Sequence, residues 1–298
     1  MSNKVLAQPD SLITFDWGAE GLAALGPTVR AIVIVDVLRF TTCVSVACSR
    51  GAVVLPYDWN DASVVDYATR HRAVVAGRRR ESPSAWSLSP TDLLAIPTGT
   101  RLVLPSPNGS ALSFRAAEFG AMTIAGSLRN ASAVARVLAT HVEAGERVAV
   151  IAAGERWESA GINVVDAPLR PAIEDLLGAG AVIAAALAIL SKQPREASCG
   201  HVHVHVHVHV HVHAHVHAQM QERTELERIA PELASPEALA AAAALRDALP
   251  NIESTLRRCS SGRELIERGW TDDVVTASML DADDCVPELQ HGEYACQV

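Results

Sequence analysis

AIVIVDVLRFTT, residues 31–42, is the stretch on which the fold turns. Ala31 to Val35 is apolar and rich in β-branched residues, and Asp36 follows at once. A short apolar run of this kind is a buried strand, here with a carboxylate at its C-terminal end. Thr41 to Cys48 then reads as a helix closed by Gly51, and Ala52 to Leu55 as the next strand. The alternation continues outward. Ser63–Arg72, Ala111–Glu118, Ala131–His141 and Ile173–Leu190 read as helices. Ala73–Ala76, Arg101–Leu104, Met122–Ala125 and Arg147–Ala152 read as strands. Short connections between alternating elements predict an α/β fold of mostly parallel sheets flanked by helices. Ligands of such sheets collect at the C-terminal strand ends. The polar clusters fall there: Asp36 after one strand, Asn108 and Gly109 after another, Gly154 and Glu155 after a third. Beyond residue 230, Ser235 is expected to cap an Ala-rich helix to Leu249, with Pro236 at its first position. Ser260–Arg268 and Asp272–Leu280 are expected as further helices, and Val286-Pro287 as extended chain.

The 298 residues carry a formal charge of −9, and 49% are hydrophobic. That is enough apolar material for a large core. The acidic balance argues against nucleic acid and anionic membranes as partners, which select basic surfaces. The longest apolar run, Leu176–Leu190, has 15 residues, and a spanning helix needs about 20. Met1–Asp10 has one Lys and no apolar core, so no secretory signal is expected and the chain is placed in the cytoplasm. The six cysteines form no C-x-x-C pair. They are expected to be reduced, mostly in the core.

His201 to His217 places nine of the twelve His at every second position, alternating with Val or Ala. In an extended chain this puts all imidazoles on one face. Such tracts bind transition metals through neutral imidazole. A perfect dipeptide repeat is also what expansion inside a tolerant loop produces. A dispensable insert is the favoured reading, and the tract has no three- or four-ligand geometry of a catalytic centre.

The phosphate-binding loop, the nucleophile elbow and the dinucleotide fingerprint are absent. What remains is a set of polar turns at strand ends. In VDVLRFTT, Asp36 suits Mg²⁺, Arg39 suits an oxyanion, and Thr41 and Thr42 at a helix start suit phosphate or plain capping. Ser106-Pro107-Asn108-Gly109-Ser110 is a turn whose N–H groups can face an anion. Ser127 and Asn130 open another strand–turn–helix step. Glu174 and Asp175 open an apolar helix, where carboxylates serve a metal, a general base or the helix dipole.

Together these motifs resemble the 2-phosphosulfolactate phosphatase family of the coenzyme M pathway. The resemblance rests on VDVLRFTT (35–42), SPNGS (106–110), GSLRNASAVA (126–135), IEDLLGAG (173–180) and SGRELIERGWTDDV (261–274). Ala76-Gly77-Arg78 with Trp86-Ser87-Leu88-Ser89-Pro90 is similar to a further family region. The match covers nearly the whole chain outside the His tract. It implies a Mg²⁺-dependent phosphatase acting on the phosphate ester of a small sulfonated or carboxylated hydroxy acid. It also implies two related α/β lobes, here 1–145 and 146–298, the second carrying the His-rich insert at about 195–232. Asp36, Glu174 and Asp175 become the metal and base candidates, and Arg39 a catalytic anion ligand. Thr41, Thr42, Arg78, Asn108, Gly109, Ser110, Ser127, Asn130 and Glu155 become substrate-binding candidates. No nucleophile motif is visible, which favours direct attack by water. The chain departs from the family pattern beside Arg78, at Leu88 in place of Asn, and in reading Ser-Pro-Asn-Gly-Ser at 106–110. These changes bear on the acid-binding pocket. Two alternatives stay open: a non-catalytic anion- or metal-binding scaffold worked by the His tract, and a phosphatase of another pathway that acts on a different phosphorylated acid; the partners expected are a small phosphorylated acid, a transition metal at the His tract and a second copy in a homo-oligomer.

Overall fold

A computed structural model describes residues 5–57, 63–77, 86–157, 167–192 and 231–296. The His tract and Arg78 lie outside the described residues. The chain opens with β1 (Ile13–Trp17), α1 (Gly18–Leu25), β2 (Ala31–Val35), α2 (Phe40–Ser49) and β3 (Val53–Tyr57). It continues with α3 (Ser63–Arg70), β4 (Val74–Val75), α4 (Pro90–Leu93), β5 (Arg101–Pro105) and α5 (Gly109–Ala117). Then come β6 (Met122–Gly126), α6 (Ala131–Glu143), β7 (Val148–Ala152), β8 (Glu155–Arg156), β9 (Leu169–Arg170) and α7 (Ile173–Ser191). The last part holds α8 (Pro236–Ala248), α9 (Ile252–Arg258), α10 (Ser260–Glu267), α11 (Thr271–Ser278), β10 (Pro287–Gln290) and β11 (Glu293–Cys296).

Nine strands form one sheet in the order β1-β7-β2-β6-β10-β11-β3-β5-β4. The fold is α/β, with two parallel groups joined through the antiparallel hairpin β10–β11. β7 lies between β1 and β2, so the sheet runs straight through the lobe boundary expected at 145/146. Strand β2 shows why its sequence is apolar throughout. Ala31, Val33 and Val35 pack with Val134 and Leu138 of α6, Val182 of α7 and Ala241 of α8. Ile32 and Ile34 face the opposite layer, with Leu22 of α1 and Leu112 of α5. A strand covered on both faces has no place for a polar residue until it ends.

α7 has the length and apolarity of a membrane-spanning helix, yet most of it is buried in this fold. Its two glycines explain the packing. A Cβ on Gly178 would stand 2.5 Å from Val37 Cγ2, and one on Gly180 would stand 2.2 Å from the Ala241 carbonyl oxygen. The small residues let α7 press against the end of β2 and against α8.

The cysteines depart from expectation at one place. Cys43, Cys48 and Cys259 are free and buried, but Cys285 and Cys296 are bonded, with Cα atoms 5.8 Å apart. The hairpin register sets Cys296 opposite Pro287, two residues past Cys285, which brings the two side chains within disulfide reach.

Candidate active site

Three of the polar strand ends named from the sequence meet at one cavity of about 880 Å³. Asp36 follows β2 and is 6% exposed. The main chain aims it. Its Oδ1 accepts the Phe40 N–H (3.1 Å) and its Oδ2 the Gly109 N–H (3.0 Å). The second bond explains the Asn-Gly turn. A Cβ on residue 109 would fall 2.3 Å from Phe40 Cδ1 and 2.8 Å from Asp36 Oδ2. Only glycine lets the start of α5 come this close.

Asn108 lines the cavity, and its amide donates to Glu155 Oε2 at 3.1 Å. Glu155 lines it from the β8–β9 ribbon, beside Arg156 and Trp157. Burial, with the charges of Asp36 and Glu174 nearby, pushes the Glu155 carboxyl up to about 7. Asp36 is pushed up to about 6, first by burial and then by Glu174, against the two backbone donors and Arg39.

Asp175 has another task. Its Oδ1 accepts from Val37 N–H (2.7 Å) and its Oδ2 from Gly154 N–H (2.9 Å). One carboxylate thus ties the chain leaving β2 to the chain leaving β7. Burial and the neighbouring acids Asp36 and Glu174 raise its pKa well above the usual carboxylate range. Glu174 is buried beside it, 2% exposed. Of the three expected metal ligands, Asp36 alone is among the cavity-lining residues. Among the described residues no three His, Cys, Asp or Glu side chains converge tightly enough to hold a metal by themselves.

Arg39 lines the cavity as well. Its guanidinium pairs with Asp273 at 3.2 Å and lies 4.6 Å over the Trp270 ring. Asp273 is itself fully buried and accepts from Ser89 Oγ at 2.5 Å. Arg156, Arg170, Arg268, Ser260 and Ser261 complete the polar wall. Leu88, the departure noted in the sequence, lines it too.

The hydroxyl candidates and Asn130 lie elsewhere. Thr41, Thr42, Ser110, Ser127 and Asn130 are all fully buried, and none is a cavity-lining residue. Thr41 Oγ1 accepts from the Asp36 N–H at 2.9 Å, while Thr42 Oγ1 donates to the Val37 carbonyl at 2.7 Å. Ser110 Oγ donates to the Leu104 carbonyl at 3.1 Å. Ser127 caps its turn, and Asn130 donates to the carbonyls of Ala125 and Cys285, both at 3.1 Å. Arg129 makes a two-armed pair with Asp283, both bonds 2.8 Å. GSLRN is therefore a joint that fixes the C-terminal segment to the end of β6. The side-chain polar atoms of all these residues serve the fold, and those of Thr41 hold the Asp36 main chain from behind.

The sequence reading did not single out Arg170, Ser261 or Asp273 as site residues. Ser261 and Asp273 sit inside the SGRELIERGWTDDV motif, which was the available signal. Arg170, between Leu169 and Pro171, carries no local pattern.

A search of curated proteins found no match. A family model described as 2-phosphosulpholactate phosphatase matches residues 23–292. That span runs from α1 into the β10–β11 hairpin and takes in every cavity-lining group described above. With a convergent acidic floor, a basic wall and a match over nearly its whole length, the chain belongs to the 2-phosphosulpholactate phosphatase family, a family of phosphoric monoester hydrolases.

Proposed function

We propose that this chain hydrolyses the phosphate monoester of a small acidic hydroxy acid, 2-phosphosulfolactate or a close analogue, with Mg²⁺ as cofactor. The observation that carries the reading is the two-sided cavity. Asp36 and Glu155 form its acidic side, with Glu174 and Asp175 buried behind, and Arg39, Arg156, Arg170 and Arg268 line its walls. A polyanionic ester bound together with a divalent cation fits such a division of charge.

The donor chemistry suits Mg²⁺. Asp36, Glu155 and Glu174 offer hard carboxylate oxygens, and Mg²⁺ prefers one or two carboxylates together with substrate phosphate and water. Asp36 would hold it, with Glu174 and Asp175 adding negative field from behind. Bound there, Mg²⁺ supplies neutralisation of phosphoryl charge and acidification of water.

The remaining work falls to the chain. Arg39, fixed by Asp273 and Trp270, meets the equatorial phosphoryl oxygens as charge spreads onto them. Asn108 orients Glu155. Glu155 holds or releases a proton near neutrality, as a group that protonates a leaving hydroxyl must. Water attacks directly, in keeping with the absence of a nucleophile motif.

The test is a screen of phosphorylated hydroxy acids with and without Mg²⁺, read as released inorganic phosphate. Metal-dependent release is expected with acids bearing a second anionic group. Asp36→Asn should lower kcat by at least ~100-fold while the circular dichroism spectrum is unchanged. Mg²⁺-dependent turnover retained in that variant removes Asp36 from the mechanism. No release from any ester in the wild-type protein overturns the reading.

A further inference from the structure

The last hairpin of the chain reaches the site without lining the cavity. Asp36 is aimed by two main-chain donors, the Phe40 N–H on one oxygen and the Gly109 N–H on the other. One residue of β11 braces both. The Tyr294 ring stands edge-on to the Phe40 ring, with centroids 6.3 Å apart. Its hydroxyl donates to Ser113 Oγ at 2.8 Å, and Ser113 Oγ donates to the Gly109 carbonyl at 2.7 Å. Tyr294 thus backs the first turn of α2 and the first turn of α5 together.

The hairpin meets the rest of the sheet sparingly. β10 is in register with β6 at Glu288–Ile124, and β11 with β3 at Tyr294–Val54, one position on each side. Within the hairpin the end pair is Pro287 and Cys296, and proline has no N–H to give a ladder. The Cys285–Cys296 disulfide closes that end. Cys285 is the fixed side of the bond. It is 5% exposed, its carbonyl accepts from Asn130 at 3.1 Å, and Asp283 two residues earlier is paired with Arg129 at 2.8 Å. Cys296 is half-buried and lies two residues past Tyr294. Both cysteines pack on the apolar cluster that holds Phe40 and Tyr294.

We propose that the Cys285–Cys296 bond is a thiol-responsive latch on the active site. Closed, it keeps Tyr294 against Phe40 and Ser113, and so keeps Asp36 aimed. Opened by a dithiol reductant, it lets the end of β11 slacken and turnover falls. The reductant's thiolate attacks Cys296 Sγ, the more exposed sulfur, and Cys285 leaves as a thiolate that takes up a proton. The reductant's second thiol then displaces Cys296 as a thiol and closes the reductant's own disulfide, so two electrons and two protons pass to the chain. The activity so controlled rests on the phosphatase reading above.

The experiment takes the full chain purified without reductant. Alkylation after denaturation, read by mass spectrometry, should find 285 and 296 linked and Cys43, Cys48 and Cys259 free. Free thiols at 285 and 296 overturn the latch. Phosphate release from 2-phosphosulfolactate with Mg²⁺ is then measured before and after dithiothreitol. Reduction should lower kcat threefold or more, reoxidation should restore it, and Cys296→Ser should match reduced wild type and ignore the reagent. A fall smaller than threefold on reduction overturns the proposal. The reduced chain should still melt cooperatively, about 3–6 °C lower. Hydrogen exchange gives a readout independent of turnover. Protection of the Phe40 and Gly109 amides should fall tenfold or more on reduction while that of β2 and β7 holds. Unchanged protection at those two amides, or a fall of equal size throughout the sheet, overturns the proposal. In the oxidised chain Tyr294→Phe, which keeps the ring and loses the hydroxyl, should expose the Gly109 amide more than the Phe40 amide, and no change at Gly109 overturns the route through Tyr294. Should oxidised wild type release no phosphate, the phosphatase reading fails, and the exchange comparison still decides the latch.

Discussion

At the scale of single residues, the site is built by taking carboxylates out of water and leaving them close together. Glu155 shows the cost. Its carboxyl is raised from an ordinary value of 4.5 to about 7. The folded chain therefore keeps a proton that the unfolded chain releases. Its contribution is full below pH 4.5, where both states are protonated, and is lost as pH rises through 7. Replacing Glu155 by Gln removes this penalty. In metal-free buffer, Glu155→Gln should melt about 2–4 °C above wild type at pH 8, and the gain should vanish near pH 4.5. Scanning calorimetry at the two values checks it, and a gain independent of pH would contradict a proton-linked origin. The same variant should lose most of its phosphatase activity at neutral pH. Asp36 and Glu155 were legible in the sequence because each follows a predicted strand, and Glu174 and Asp175 because they open an apolar helix. The hydroxyls were misplaced, since a Thr or Ser at a strand-to-helix turn looks alike whether it faces a ligand or its own backbone. Thr41 faces Asp36 from behind, and nothing in the order of residues distinguishes this.

At the scale of elements, α7 links the site to the core. Its first turn carries Glu174 and Asp175, and its second carries the glycines that let it dock. Gly180→Ala sets two effects against each other. Alanine is the better helix former by about 1 kcal/mol. Its Cβ would meet the Ala241 carbonyl oxygen at 2.2 Å, however, and that neighbour is main chain of α8 and cannot rotate away. Overpacking of this kind costs about 1–3 kcal/mol, so the clash wins. Urea denaturation should show a net loss of about 1–2 kcal/mol, while activity per folded molecule stays near that of wild type. A midpoint equal to or above that of wild type would mean α8 shifts freely. Helix boundaries were read well wherever a cap or a glycine marked them. Ser235 caps α8 as expected, accepting from the Ala238 N–H at 3.1 Å. β1 escaped the reading because Thr14 and Asp16 interrupt its apolar run. The fold buries Thr14 fully and satisfies it through the Val148 carbonyl at 2.9 Å, a partner 134 residues away.

At the scale of the whole molecule, local patterns predicted the α/β class, while pairing between distant strands was out of their reach. The hairpin β10–β11 comes last in the chain, yet it sits inside the sheet between β6 and β3. Its sequence, Pro287-Glu288-Leu289-Gln290 and Glu293-Tyr294-Ala295-Cys296, announces an edge and not an interior position. Tyr294 resolves this, fully buried and donating to Ser113 Oγ at 2.8 Å. The described cavity-lining residues and the sheet all lie outside the His tract, and the family match spans both sides of it. The tract falls between α7 and α8, which pack directly on one another through Gly180 and Ala241. Deleting residues 201–217 should therefore leave Mg²⁺-dependent phosphate release within about twofold of wild type, while binding of Zn²⁺ or Ni²⁺ falls with loss of the imidazoles. Phosphatase assays and metal titration on the deleted chain check both halves. A collapse of turnover in a deleted chain that still melts cooperatively would make the tract a working part of the enzyme.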